Sequence, residues 1–223
     1  MSDDLGRRPI PARDMRLVQR IAKAMATRGL TPNMISAIGL LAGVSAGVFL
    51  GLTQVIPDAA RVLWMSAAIL ILLRGLSNMF DGMVAVEHGQ GTSTGIFWNE
   101  VPDRVSDVAL FVGAGYSLGG DVVAGWIVGC LALFIAYVRT MAVLAGAPAD
   151  FGGPFAKQQR MFSVAILAAV LALVPEAWRF AWGPEDIRGP MAALLWVLVP
   201  GCLWTIVRRL RTAARAVSQT DHQ

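Results

Sequence analysis

Oxygen-bearing side chains recur at helical spacing between Asn78 and Asp107, beside some of the most apolar sequence in the chain. Asn78 and Asp81 lie three residues apart, and Asn99, Asp103 and Asp107 follow one another at intervals of four. On helices, each set projects from one face. Because ionisable groups are costly at membrane depth unless they face a cavity or a partner, this stripe indicates a functional site.

The donor atoms of the stripe are carboxylate and amide oxygens. Such ligands favour hard divalent cations, Mg²⁺, Mn²⁺ or Ca²⁺, and without histidine or thiolate in the stripe zinc is disfavoured. Gly82 directly after Asp81 lets a ligand or phosphate approach the backbone, and Gly95 does the same one turn before Asn99. The stripe therefore predicts a site for a cation and a phosphorylated ligand.

The composition indicates that these polar residues belong to an integral membrane protein. Of 223 residues, 56% are apolar and 15% charged, and the mean hydropathy is +0.59, unlike an ordinary soluble domain. A helix crosses a bilayer with about 20 mostly apolar residues. We predict an all-α protein with six transmembrane helices, near residues 33–51, 60–79, 104–119, 121–144, 161–179 and 190–207. The third is the weakest, because charged residues crowd its beginning.

The basic residues predict the orientation of the chain. Of 19 Lys and Arg residues, seven precede the first predicted span and four close the chain. By the positive-inside rule both termini are cytoplasmic, which requires an even number of spans. The net charge of +4 is thus a signal of topology and lipid contact, with no basis for nucleic-acid binding. The two cysteines fall inside predicted spans and are interpreted as small core residues.

The segment before the first span predicts an amphipathic helix at the membrane interface. Residues 13–28 place Met15, Val18, Ile21, Ala22 and Met25 on one face and basic residues on the other. A basic flank that only sets the topology is an equally open interpretation. Thr31 then suits an N-cap and Pro32 the first helical position of the first span.

Small residues in the first predicted span indicate close helix packing. Gly39, Gly43 and Gly47 lie four apart, which lets a neighbouring backbone approach.

The polar stripe resembles a known family signature. Asn78-x2-Asp81-Gly82-x2-Ala85, followed by Gly95-x3-Asn99-x3-Asp103, is similar to the pattern D-x2-D-G-x2-A-R-x8-G-x3-D-x3-D of the CDP-alcohol phosphotransferases. The spacing fits throughout, and LTPN before the first span also resembles the family. In that family the aspartates hold two divalent cations over the pyrophosphate of a CDP-linked donor, and the last deprotonates the acceptor alcohol.

The resemblance implies roles for individual residues. Asp103 would be the catalytic base and a metal ligand. The remaining metal ligands would be Asn78, Asp81 and Asn99, with Asp107 as a further candidate, for one or two Mg²⁺ or Mn²⁺ ions. The nucleotide would contact Asn78, Asp81, Gly82, Ala85 and Gly95.

Three positions depart from the family pattern. Asn78 and Asn99 stand where the family has its first and third aspartates, and Val86 replaces its arginine. An amide oxygen can bind Mg²⁺ but contributes no charge, so we expect weaker metal binding and a site reduced towards one cation. Asp107, one turn beyond Asp103, and Glu100 could restore charge.

Basic residues outside the stripe suggest a phosphate-binding subsite. Arg139, Lys157 and Arg160 lie at spacings similar to those of family members that act on inositol phosphates, so the resemblance implies that they bind the acceptor's phosphate. A topology-setting flank is the alternative for Lys157 and Arg160. Arg74, one turn before Asn78, is positioned to pair with a carboxylate of the stripe.

Together these features predict a membrane transferase of phospholipid biosynthesis. It would lie in a bacterial inner membrane, with its site facing the cytoplasm. It would move a substituted phosphate, phosphatidyl from CDP-diacylglycerol, to a small alcohol and release CMP. The predicted partners are the CDP-linked lipid donor, the alcohol acceptor and membrane lipids, and the resemblance implies a homodimer. We divide the chain into a tail with the interfacial helix (1–32), a six-helix transferase domain (33–212) and a polar tail (213–223).

Two other classes of function remain open from the sequence. A small ion or solute transporter could line its pathway with the acidic stripe, although the chain shows no internal symmetry. A transferase-derived protein could bind the lipid or nucleotide without turnover.

Overall fold

The computed structural model describes residues 16–87, 94–176, 179–183 and 187–220. In this part of the chain the regular elements are helical, as predicted, apart from one isolated β-bridge between Trp182 and Arg188. The helices are α1 (Arg16–Thr27), α2 (Pro32–Val55), α3 (Ala60–Glu87), α4 (Gly95–Gly115), α5 (Val122–Leu144), α6 (Lys157–Leu173) and α7 (Pro190–Thr220), with a short 3₁₀ turn at Pro57–Ala59.

Four of these helices are long and apolar enough to cross a membrane. The candidate spans are Pro32–Val55, Pro57–Ala85, Val122–Leu144 and Pro190–Gln219. The other two long helices fall short: α6 has only 17 residues, and α4 carries four charged residues between Glu100 and Asp107. The count of six spans therefore stays a prediction. Of these two helices, α4 carries part of the polar stripe and α6 carries its basic partner Lys157.

The start of the first span forms as the sequence predicts. Thr31 has an extended backbone, and its hydroxyl accepts the Met34 N–H at 3.3 Å, while Pro32 opens α2. The preceding amphipathic helix is also present, although Met15 lies outside the described residues. Ala22 is buried against α3, so part of the apolar face of α1 packs on protein.

The glycines of α2 bring three helices into close contact. A Cβ at Gly43 would lie 2.6 Å from the Ser106 Cβ of α4, and one at Gly39 would lie 2.8 Å from the Ser77 Cβ of α3. At Gly47 a Cβ would meet the backbone carbonyl of Ala109. The predicted packing role of these glycines is confirmed, and it sets how α2, α3 and α4 lie against one another.

The main apolar core lies further along the bundle than the polar stripe. Trp64 of α3, Phe111 of α4, Val164 of α6 and Leu195 of α7 are almost completely buried there. Burying one such large side chain stabilises the fold by roughly 1.5–3 kcal/mol relative to exposing it to water. The gain is smaller where the alternative environment is lipid. This core fixes the helices that carry the polar residues.

Candidate active site

Arg74 occupies the centre of the polar cluster. It projects from α3, is only 2% exposed, and donates one hydrogen bond to the Asn78 Oδ1 and another to the Asp103 Oδ1. The contact with Asn78 links two residues one turn apart, whereas the contact with Asp103 joins α3 to α4. The predicted pairing of Arg74 with a stripe carboxylate is confirmed.

Lys157 brings a second cation to the same carboxylate. Its Nζ, at the first residue of α6, forms an ion pair with the Asp103 Oδ2 and lies 4.0 Å from the Asp107 Oδ1. Both oxygens of Asp103 thus face cationic side chains from other helices. A buried carboxylate is stabilised when it is paired in this way.

Asp81 is held by neutral donors. The Ser36 hydroxyl of α2 donates to its Oδ2 at 2.8 Å, and the Gly82 N–H donates to its Oδ1 at 2.6 Å. Asp81 is 5% exposed. Ser36 was not predicted as a site residue, because nothing in the spacing within α2 indicates a partner 45 residues away.

The stripe on α4 runs from the surface into the bundle. Asn99 is exposed, Asp103 is 9% exposed, and Asp107 is 4% exposed. Gly95, at the start of the helix, is half-buried, as are Gly82 and Ala85 on α3. The predicted nucleotide-contacting residues lie within the last three turns of α3 and at the first residue of α4, while the Val86 side chain lies outside the described residues.

Glu100 organises a second ion-pair group at the edge of the stripe. Its two oxygens accept hydrogen bonds from Arg104 and Arg139, each at 2.6 Å. Arg139 also lies over the Phe151 ring, 5.3 Å from its centroid. Arg104, which sequence reasoning did not select, comes within 4.0 Å of the Asp103 Oδ2.

Arg160 lies deeper than the other predicted basic residues. It is 1% exposed, donates to the Phe155 carbonyl at 2.8 Å, and stands 5.9 Å from the centroid of the Phe111 ring. Lys157 and Arg160 thus share one helix but have different neighbours. The structure brings Lys157 to the carboxylates and Arg139 to Glu100, and it places Arg160 against the apolar core.

The oxygen donors of the stripe are of the type that binds a hard divalent cation. The oxygen-only stripe suits Mg²⁺ or Mn²⁺, and the buried Asp107 Oδ2 has no hydrogen-bond partner in the described part of the chain. However, no three His, Cys, Asp or Glu side chains within the described ranges form a metal-binding group. A cation here would need the amide oxygens of Asn78 or Asn99 as well.

In the described part of the chain, carboxylates, amides and cationic side chains of α3, α4 and α6 cluster together, an arrangement compatible with a phosphorylated ligand and a divalent cation. A sequence profile described as CDP-alcohol phosphatidyltransferase matches residues 29–207. The chain belongs to this family. The prediction of a transferase acting in phospholipid biosynthesis is thereby confirmed.

Two relatives of this chain are phosphatidylinositol phosphate synthases. Phosphatidylinositol phosphate synthase of Streptomyces avermitilis is 28% identical over 212 residues, covering 92% of this chain and 81% of the relative. The synthase of Corynebacterium glutamicum is 29% identical over 222 residues, covering 95% and 88%.

Solved structures of the Mycobacterium tuberculosis synthase have the same fold. The structure with CDP-DAG bound superposes with a TM-score of 0.68 at 26% identity, covering 89% of this chain and 94% of that one. A second structure of that protein, in complex with manganese and citrate, also gives a TM-score of 0.68, at 25% identity and 88% coverage of each chain.

Proposed function

We propose that this protein transfers the phosphatidyl group of CDP-diacylglycerol to a small phosphorylated alcohol of the inositol phosphate class. The observation that carries the proposal is the ion pair between Lys157 and Asp103. A phosphate bound by Lys157 would bring its alcohol within reach of the Asp103 carboxylate, so one contact couples recognition of the acceptor to its activation. The named activity of the relatives and the CDP-DAG bound to a solved neighbour support the same choice.

The chemistry follows from these positions. Asp103 accepts the proton of the acceptor hydroxyl as its oxygen attacks the phosphorus of the phosphatidyl group. The bond from that phosphorus to the bridging oxygen breaks, and CMP leaves with the electron pair. A bound divalent cation would neutralise charge on the pyrophosphate.

The residues divide into three sets with different tasks. The cation would be held by Asn78, Asp81, Asn99 and Asp103, with Asp107 as a further ligand. The backbone near Gly82, Ala85 and Gly95 would admit the nucleotide, because small residues leave room there. Lys157 and Arg139 would bind the acceptor phosphate, with Arg160 buried one turn beyond Lys157 in support.

We place this site on the cytoplasmic side of a six-span bundle in a bacterial inner membrane. Basic residues before α2 and at the end of α7 favour cytoplasmic termini. The polar stripe begins at the helix ends that this topology puts on the same side. A homodimer, common in the family, is part of the proposal.

A panel of acceptors tests the proposed function. Purified protein receives CDP-diacylglycerol, Mg²⁺ or Mn²⁺, and one of inositol phosphate, glycerol phosphate, inositol or glycerol, and CMP and the lipid product are measured. We expect CMP with a phosphorylated acceptor and little with the unphosphorylated one. Product only with free alcohols would overturn the acceptor class. CDP-diacylglycerol binding without CMP release would instead identify a non-catalytic binder.

A further inference from the structure

Arg74 stands beside a position from which the chain has lost a negative charge. Asn78 replaces the first aspartate of the family pattern, and the Arg74 guanidinium donates to its amide oxygen and to Asp103. An aspartate at position 78 would present charge to a metal. The asparagine presents a neutral oxygen, which here accepts from a cation of the protein itself.

The neighbouring helix is shaped around this guanidinium. A Cβ at Gly39 would lie 2.9 Å from the Arg74 Nη1, and a Cβ at Gly43 would lie 3.3 Å from its Cδ. Both glycines belong to α2, which packs on α3 and α4. A larger residue at either position would crowd the Arg74 side chain, so the packing of three helices provides its space.

Arg74 already places a positive charge at a carboxylate that the family pattern assigns to metal. Asp103 pairs with both Arg74 and Lys157, and Arg104 comes within 4.0 Å of its Oδ2, whereas Asp81 is held by neutral donors. Two-metal sites hold their ions about 3.5–4 Å apart. A second divalent cation beside Asp103 would therefore lie close to the Arg74 guanidinium and be repelled by it.

We propose that the Arg74 guanidinium takes the place of one of the two divalent cations expected from the family pattern, so that this chain binds a single Mg²⁺ or Mn²⁺. Arg74 then acts as a positioning residue, because it orients Asp103 without needing a second metal. The inference extends the proposed function, but its test requires neither donor nor acceptor.

The number of bound Mn²⁺ ions tests this inference. Metal-free, full-length protein in detergent is titrated with Mn²⁺, and bound metal is measured at equilibrium and by electron paramagnetic resonance. We expect one uncoupled ion per wild-type chain. The triple variant Arg74→Met, Asn78→Asp, Asn99→Asp should bind two ions with a spin-coupled spectrum.

Two matched variants isolate the contribution of Arg74. Asn78→Asp with Asn99→Asp, retaining Arg74, should still bind one ion. The same pair combined with Arg179→Met should also bind one, because Arg179 lies at the other end of the bundle, over the Trp64 ring. A second ion in either of these variants would contradict the role given to Arg74.

The wild-type protein alone can overturn the inference. Two ions, or none, per wild-type chain would exclude the single-cation site whether or not any variant folds, and a triple variant that stays at one ion would do the same. CMP release is measured separately on the same preparation. Absence of CMP with the expected metal counts would reject the proposed function and leave this inference standing.

Discussion

Two buried aspartates, Asp103 within α4 and Asp121 at the start of α5, show how differently the same side chain can be used. Asp121, just before α5, accepts the Ala124 N–H at 2.9 Å, the Trp196 indole N–H at 3.3 Å and the Arg188 Nε at 2.6 Å from its Oδ2. One of these partners is the backbone of the helix it caps. Asp121 therefore stabilises a local turn and its contact with α7.

Asp103 has a different set of partners. They are the side chains of Arg74 and Lys157, on two other helices, with Arg104 nearby. A cationic side chain that pairs with a carboxylate can bind a phosphate in its place. A side chain that caps a helix stays hydrogen-bonded to the backbone N–H of that helix. Both aspartates pair with cationic side chains, but only Asp121 also caps a helix, so the contact with the local backbone distinguishes the structural carboxylate from the one in the site.

Removing the charge should lower catalysis at Asp103 and leave it unchanged at Asp121. Asp103→Asn should lower kcat for CMP release by about 10²- to 10⁴-fold, because the general base is lost. Asp121→Asn, which keeps a capping oxygen, should leave kcat near the wild-type value. Steady-state assays measure kcat for CMP release in both variants. A kcat of Asp103→Asn within threefold of wild type would contradict the role of Asp103 as general base.

Replacing Lys157 should affect the acceptor more than the donor. Lys157→Met should raise KM for the phosphorylated acceptor by about 10- to 100-fold, since a hydrogen bond to a charged group contributes about 1.5–3 kcal/mol. The KM for CDP-diacylglycerol should change little. Lys23→Met, on the exposed side of α1, is the matched control. Equal changes in both KM values would refute a specific acceptor contact.

Truncating Asp121 should act on stability and spare catalysis. Asp121→Ala removes an N-cap and leaves Arg188 and Trp196 without their acceptor, which should lower the free energy of unfolding by about 1–2 kcal/mol. Thermal unfolding in detergent measures this loss, while CMP release at low temperature stays near wild type. Inactivation without a lower midpoint would place Asp121 in the site.

The contribution of Asp121 to the free energy of unfolding should depend on pH. Burial opposes ionisation, but the Ala124 N–H, the Trp196 indole and the Arg188 guanidinium hold the pKa of Asp121 below its usual value. Its stabilising contribution is therefore present above the unfolded pKa of about 3.9 and is lost as the pH falls through the lower folded value. The stability difference between wild type and Asp121→Asn should narrow only below about pH 4. Midpoints measured from pH 3 to 7 provide the test.

Local features of the sequence predicted local features of the structure. The apolar windows marked six long helices, Thr31 and Pro32 marked the start of α2, and the i, i+4 spacing of Arg74 and Asn78 placed them side by side. These relationships follow from helix geometry alone, since residues three or four apart are neighbours on any helix. The motif spacing likewise predicted the family that the comparison confirmed.

The spacing of residues along the chain could not predict the contacts between helices. Periodicity put Lys157 and Arg160 near one another on α6, but only packing against α4 decided that the first meets Asp103 and the second meets Phe111. Packing of α2 on α3 likewise brought Ser36 to Asp81, and packing of α5 on α4 brought Arg139 to Glu100.

The order of residues along the chain was thus enough to predict which residue types lie along each helix, and with them the membrane class and the transferase family. Which cation faces which carboxylate depends on how the helices pack. The physical reason is that rotation and depth of one helix against another depend on close contacts such as those at Gly39, Gly43 and Gly47, which no single helix contains.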